Sequence, residues 1–358
     1  MNLCNYVNNI KIELFDNLEY LKKTRQKIFI YGAKETALRK YNLLKNNNIK
    51  VEGFFVDKEY FTEGKTIDGI KIYTKQYVLD NYDKFDTVIG FYNYSRYLKV
   101  INSKLFEHTG ECVYFDEAVY FDEAYFFENA KEFQQTFDWL EDEQSKNIMI
   151  DYLKARLLRR PLELIRYCSL PQYFTEFIEL NKNETFIDAG SYTGDTIEEF
   201  LKYNNNNFYK IYAFEADKNN VQKLKNNFKN YEDVIIFDKG VWSENTTLSF
   251  SSANTSSKIC DNGDINIEVI KIDDYVKDVS DSILLKADIE GAELEMLKGA
   301  ENFIKIHKPK LAICIYHKKE DMITIPQYIK SLNKNYKLYL RHHSNCHTET
   351  VLYAIPKL

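Results

Sequence analysis

The chain has 358 residues, 44% hydrophobic and 15% aromatic, which is too long for one ordinary core and too apolar for a disordered chain. Its 48 Lys and Arg against 54 Asp and Glu give a net charge of −6. Without a basic block, that balance argues against phosphate-backbone binding and therefore against nucleic acid as a substrate.

Strand-like and helix-like runs alternate from the start. KIFIYGA (27–33) is apolar and bounded by Gly32, a helix-like stretch runs from Glu35 to Lys45, and VEGFFVD (51–57) reads as a second strand. DTVIGF (86–91) and ECVYFD (111–116) read as further strands, with helix-like SRYLKVINSKLF between them. Such alternation implies a parallel sheet covered on both faces, here a small Rossmann-like domain over residues 1–121. Residues 122–180 read as a helical connector or lid, in which Phe126, Ala130, Phe133 and Phe137 recur at helical spacing. PQYFTEF (171–177) precedes the next strand and is placed to fold over its carboxyl end.

A second α/β domain is expected over 181–358. Its strands are TFIDAG (185–190), KIYAFEA (210–216), VIIFDKGV (234–241), SILLKADIEG (282–291), KLAICIYH (310–317), KLYLRHH (337–343) and ETVLYAIP (349–356). A Ser-, Thr- and Asn-rich insertion between the third and fourth reads as short extra strands and loops. The last two strands are joined by about five residues, SNCHT, whereas a parallel crossover needs a dozen or more. They must be antiparallel neighbours. A doubly wound sheet ending in an antiparallel hairpin is the class I methyltransferase arrangement, and a dinucleotide dehydrogenase half would need another helix there.

The six cysteines are scattered, and most sit in apolar runs, which suits a reducing compartment. The first 15 residues lack a basic leader followed by an apolar core, and no apolar run approaches the ~20 residues of a membrane span. A soluble, cytoplasmic chain is expected.

DAGSYTG (188–194) follows a strand and opens a helix near Asp195. Gly190 allows a sharp turn and Gly194 a close approach of the helix to a ligand, with Ser191 and Tyr192 between them. Asp188 is placed to accept from the ammonium of a methionine-like group. Because no phosphate need be cradled, Tyr192 can stand where a dinucleotide site has its middle glycine. Glu215, followed by Ala216, comes 25 residues after Gly190 at the next strand end, where an acid can accept both ribose hydroxyls.

DAGSYTGDT, AFEADKNN and KADIEGAELEMLKGA (286–300) resemble, in this order, the motifs of the FkbM family of methyltransferases. The resemblance covers about Thr185 to Pro356, with Ala216 in place of the usual proline and Tyr192 where Asn is common. It implies S-adenosylmethionine as cofactor and O-methylation, often of sugars or glycoside-like products.

Ligands of an open parallel sheet gather at the carboxyl ends of its strands, which places Asp188, Glu215, Asp238, Lys286, Asp288, Glu290 and His317 on one rim. Asp188, Gly190, Ser191, Tyr192, Gly194, Glu215, Ala216, Asp238 and Asp288 are the expected cofactor contacts. The proton of the acceptor hydroxyl falls to Asp288 or to His317, which titrates near neutrality, while Lys286 orients the acceptor. Glu290, Tyr173 and Arg341 are candidate acceptor contacts. No metal is expected: RHHSNCHTE (341–349) clusters potential zinc ligands, but adjacent strand residues His342 and His343 point to opposite faces.

In the N-terminal domain Gly32 is followed by Ala-Lys-Glu, without the glycines that admit a pyrophosphate, so a scaffold, oligomer-forming or acceptor-orienting role is favoured over nucleotide binding with Asp57 as the ribose contact. Three functions stay in play. The leading one is an O-methyltransferase acting on a small-molecule or glycan-linked acceptor. The others are an NAD-dependent sugar oxidoreductase and a non-catalytic methyltransferase-like assembly module.

Overall fold

The computed structural model describes residues 1–13, 16–91, 99, 109–113, 121, 123–159, 162–251, 258–259, 265–344 and 348–357. The chain divides into two compact units. One comprises Met1–Ala130, Met149–Arg166 and Ser344–His347, and the other Lys131–Ile148, Tyr167–His343 and Thr348–Leu358.

The first unit holds a six-stranded sheet of β1 (Lys27–Tyr31), β2 (Gly53–Val56), β3 (Thr66–Ile67), β4 (Ile70–Thr74), β5 (Phe85–Ile89) and β6 (Thr109–Val113), in the order β3-β4-β2-β1-β5-β6. All neighbours are parallel except the β3–β4 hairpin. Both faces are buried, as a parallel sheet requires. Ile28 and Ile30 of β1 enter one apolar cluster with Phe54, Val56 and Val88, while Phe29 and Tyr31 enter another with Phe55, Phe85 and Ile89. The helix expected from Glu35 runs Glu35–Asn46, and the expected SRYLKVINSKLF helix lies, but for residue 99, outside the described residues.

The β3–β4 hairpin was not expected from the sequence. Its two-residue turn is Asp68-Gly69 with φ of 50° and 78°, the left-handed pair that matches strand twist in a type I′ turn. Asp-Gly before the alternating IKIYT is the signal that identifies it.

The second unit is built on a seven-stranded sheet: β7 (Glu184–Ala189), β8 (Lys210–Phe214), β9 (Val234–Phe237), β14 (Ser282–Ala287), β15 (Lys310–Cys314), β16 (Lys337–His342) and β17 (Thr350–Ile355). Their order is β16-β17-β15-β14-β7-β8-β9, with β17 antiparallel to both neighbours and the rest parallel. This is the doubly wound sheet with a terminal antiparallel hairpin that the five-residue connection required. The expected strand 234–241 divides into β9 and β10 (Gly240–Val241), and β10 joins the insertion's β11 (Thr246–Ser251), β12 (Lys258–Ile259) and β13 (Ile265–Ile270) in a separate four-stranded sheet.

Side chains of a strand alternate between faces, so Phe186 and Asp188 share one face of β7, as Leu284 and Lys286 do on β14. On that face Phe186, Leu284, Ala213 and Ala312 form an apolar floor with Phe200, Phe174 and Tyr173. The polar residues stand one step further on, at the carboxyl rim. Between residues 123 and 165 the described structure is helical: Glu123–Glu128, Ala130–Trp139, Glu143–Leu158 and Leu162–Ile165. No helix among the described residues is long and apolar enough to cross a membrane.

The hairpin turn yields a clean measurement. A Cβ at Gly69 would meet nothing within 4 Å, so Gly69→Ala carries the left-handed backbone cost alone. Urea denaturation should show a loss of about 1–2 kcal/mol.

Candidate functional site

The carboxyl ends of β7 and β14 lie side by side, and the backbone just beyond them is pressed together. Asp288 N donates to Ala189 O at 3.1 Å. A Cβ on Gly190, whose φ is +81°, would fall 2.0 Å from the Asp288 carbonyl oxygen. Glycine is therefore required here by the neighbouring loop as much as by the turn.

Directly beneath, Asp188 and Lys286 face each other across paired strand positions, their side chains almost completely buried, with Nζ 2.9 Å from Oδ1. Lys286 also donates to the Gly190 carbonyl at 2.8 Å. Burial lifts the Asp188 carboxyl above its usual range, opposed by Lys286. Burial pushes Lys286 down, but the charges of Asp188 and Asp288 outweigh it and leave the ammonium above its ordinary value.

Above it opens a cavity of about 790 Å³. Its lining comprises Gln172 and Tyr173, Gly190 and Tyr192 of the glycine turn, Asp195, Thr196, Glu198, Glu199 and Lys202 of helix Asp195–Tyr203, then Lys286, Asp288, Glu290 and Glu349. Six carboxylates face two lysines, and Lys286 is already paired. The lining is strongly acidic.

Two tyrosine hydroxyls hold the Asp288 carboxylate of this lining. Tyr173 Oη donates to Oδ2 at 3.0 Å and Tyr316 Oη to Oδ1 at 3.1 Å. Tyr316 also reaches Glu349 at 3.2 Å, and Gln172 Nε2 donates to both the Tyr173 hydroxyl and Glu349. Burial and the nearby Asp288 charge hold the Glu349 carboxyl above its usual range.

Gln172, Tyr316 and Glu349 were not among the sequence candidates. β17 runs antiparallel to β15, pairing Val351 with Cys314, so the residue before β17 lies at the same rim as the residues after β15. That topology was the signal for Glu349.

His317 lies behind Asp288. Its Nδ1 is 3.0 Å from Glu293 Oε1, and Nε2 is 3.5 Å from Asp288 Oδ1 and 3.7 Å from Glu290 Oε2. Burial alone would lower its proton affinity, but these three carboxylates raise it from the ordinary 6.5 to about 9. An imidazole that already carries its proton at neutral pH cannot take one from an acceptor, so the expectation of His317 as base gives way. Because the folded value is raised, its stabilising charge is fully present below about pH 6.5 and is lost as pH rises through about 9.

Other expectations shift in place. The Asp188 carboxylate points at Lys286 rather than into the cavity, and Lys286 is committed to Asp188 and the Gly190 carbonyl instead of being free to orient an acceptor. The space left by the missing Cβ of Gly194 (φ +95°) is filled by Phe228 and Leu224 rather than by a ligand. Arg341 is held by Asp142 and Glu176, each at 2.8 Å, and does not line the cavity. Asp238 lies exposed at the end of β9, 3.9 Å from Lys225.

Ser191 is buried and donates to the Asp188 carbonyl at 2.8 Å. Glu215, at the end of β8 ahead of half-buried Ala216, accepts from the Tyr192 N–H at 2.8 Å and the Asp217 N–H at 2.7 Å. Tyr192 itself adopts φ +48° and is 55% exposed at the cavity lip. Of the suggested zinc ligands, His343 bonds the Ser169 carbonyl and Tyr353 hydroxyl, His342 bonds Thr350, and Cys346 and His347 lie outside the described residues.

The strand order, with a cavity over the carboxyl ends of β7 and β14, is that of the class I methyltransferase fold. Residues 188–338 match the family described as the methyltransferase FkbM domain. Residues 24–107 match a family described as C2185-like, N-terminal. The crystal structure of methyltransferase FkbM from Methylobacillus flagellatus KT shares the fold at 21% identity and a TM-score of 0.74, covering 97% of this chain and 96% of that one. Aeropyrum pernix fibrillarin with bound S-adenosyl-L-methionine aligns at 14% identity and a TM-score of 0.30, over 50% of this chain and 70% of that one. The N-methyltransferase NodS from Bradyrhizobium japonicum WM9 aligns at 11% and 0.29, over 49% and 86%. Those two likenesses are too loose to argue from. No curated protein matches the chain.

Removing one member of the buried pair strands the other. Lys286→Met should cost about 3–5 kcal/mol in guanidinium denaturation, and the double variant with Asp188→Asn should recover part of that loss.

Proposed function

We propose that the second unit is an S-adenosylmethionine-dependent O-methyltransferase acting on a hydroxyl of a sugar or glycan-linked small molecule. The observation that carries the reading is Asp288, a carboxylate presented to the cavity between two buried tyrosine hydroxyls. The acidic lining suits a cofactor that bears a sulfonium and an ammonium. Bound S-adenosylmethionine supplies an electrophilic methyl group.

The chain's own residues supply the rest. The Gly190–Tyr192 turn shapes the wall against which the cofactor lies, and Glu215, which accepts from the Tyr192 N–H one strand over, serves the ribose hydroxyls. The Asp188–Lys286 pair fixes that turn from below. Asp288 accepts the proton of the acceptor hydroxyl, with Tyr173 and Tyr316 holding its two oxygens. Glu290 and Gln172 line the side where the acceptor enters. Alignment of the reacting atoms can be worth roughly 7–11 kcal/mol, whereas a general base contributes about 10²–10⁴-fold. Cofactor binding is therefore the larger part.

The first unit supports this reading more than an NAD-dependent one. The space beside Gly32 is closed by the Gly90 carbonyl, 2.9 Å from where a Cβ would lie, and Asp57 accepts from the Tyr31 hydroxyl at 2.7 Å. A scaffold or oligomer-forming role for this unit, and a cytoplasmic setting suggested by the scattered cysteines, belong to the same proposal.

Thermal unfolding with S-adenosylmethionine, S-adenosylhomocysteine and NAD tests it, because only a true ligand raises stability by mass action. Stabilisation by the first two and not by NAD is expected. NAD alone acting would favour the oxidoreductase, and no response to any of them a non-catalytic module. With labelled cofactor and a sugar acceptor, Asp288→Asn should bind cofactor within a few-fold of the parent and turn over at least about a hundredfold more slowly. Unchanged turnover would remove Asp288 as the base.

A further inference from the structure

The turn after β14 carries three acids within six residues, Asp288, Glu290 and Glu293, and only the first two line the cavity. Glu293 stands in the first turn of helix Glu293–Gly299 and is completely buried. Its Oε1 accepts from the Ile289 N–H at 2.9 Å and the Gly291 N–H at 3.4 Å, reaching back over the turn. The same oxygen lies 3.0 Å from His317 Nδ1. His317 arrives from beyond the neighbouring strand β15, and the far side of its ring meets Asp288 and Glu290.

We propose that Glu293 and His317 form a positioning pair that fixes the Asp288–Gly291 turn and holds the Asp288 carboxylate at the cavity floor. Three observations converge on it. The turn needs an external hold, since Glu290 and Gly291 both adopt left-handed backbone, with φ of 56° and 95°. A completely buried carboxylate at Glu293 needs charge or N–H partners, and it finds both in the turn and the imidazole. One ring then spans from that carboxylate to the group proposed as base, so the base cannot swing without breaking the ring's contacts.

Neither Glu293 nor His317 lines the cavity, which makes them positioning residues rather than catalytic ones. The charged and titratable groups around the imidazole are Asp288 and Glu290 from the turn, Glu293 from its helix, Asp321 and Lys318 from the segment that follows, and Glu349 from before β17. Tyr316 packs on the ring with centroids 4.0 Å apart. At Asp321, burial and the Glu293 charge raise the carboxyl to about 7, so the carboxylates at Glu293, Asp288 and Glu290 are the principal partners of the imidazolium.

This inference rests on the reading of Asp288 as base, and its test separates the two. In full-length protein labelled with ¹⁵N-histidine, NMR titration should show one imidazole that keeps its proton to about pH 9. That signal should vanish in His317→Gln and titrate near the ordinary imidazole range in Glu293→Gln. With acceptor and cofactor, either variant should lower kcat by about ten- to a hundredfold while KM for S-adenosylmethionine stays within about twofold. The parent's kcat should fall above about pH 9, and that alkaline limb should be absent in His317→Gln.

An ordinary His317 titration in the parent, or His317→Gln with unchanged kcat and pH profile, would overturn the pair. If Glu293→Gln fails to fold, His317→Gln still decides the matter. A parent that shows the raised titration and yet transfers no methyl group to any hydroxyl counts against the base and not against the pair.

Discussion

The site stands on a buried ion pair. Asp188 and Lys286 occupy matched positions on adjacent strands, on the same face as an apolar floor of Phe186, Leu284 and Ala312. Two charges taken out of water must be repaid by good geometry and further bonds, and Lys286 adds the Gly190 carbonyl to its Asp188 contact. The pair therefore locks the register of β7 against β14 and anchors the glycine turn in one stroke. Everything above inherits that position: the turn, the loop that touches it at Asp288, and the cavity between them.

The architecture separates two tasks. On the proposed reading, the cofactor side is made by β7, β8 and the glycine turn, where backbone shape dominates and only glycine fits at 190. The opposite side is made by side chains from segments distant in sequence: Gln172 and Tyr173 ahead of the sheet, Asp288 after β14, Tyr316 after β15 and Glu349 before β17. The tyrosines are shielded from water and their hydroxyls are pushed well above the usual phenol range, chiefly by burial, so they remain donors toward the carboxylates they touch.

Much of the fold was legible because parallel strands buried on both faces leave continuous apolar runs, and the short SNCHT connection left only one direction for the last strand. The β3–β4 hairpin escaped because its strands are short and its Asp-Gly turn is a two-residue signal inside a polar stretch. The site was legible in part. Asp188, Gly190, Glu215 and Asp288 are marked by their places at strand ends, but what each side chain faces depends on neighbours that the linear pattern does not contain. Asp188 turned out to be spoken for by Lys286, and Gly194 to make room for Phe228. His317 was misjudged as a neutral-range titrator because the carboxylates that hold its proton come from another strand's loop. Glu349 lay in view at the end of a segment weighed for zinc, and only the antiparallel run of β17 brings it to the rim.

The division of the cavity between backbone on one wall and far-flung side chains on the other has an evolutionary corollary. On the proposed reading, drift at 172, 290 or 349 alters which molecules are admitted, while the strand register and glycine turn stay untouched. Such a scaffold can diversify its clientele by point changes at the mouth without relearning how to hold its donor.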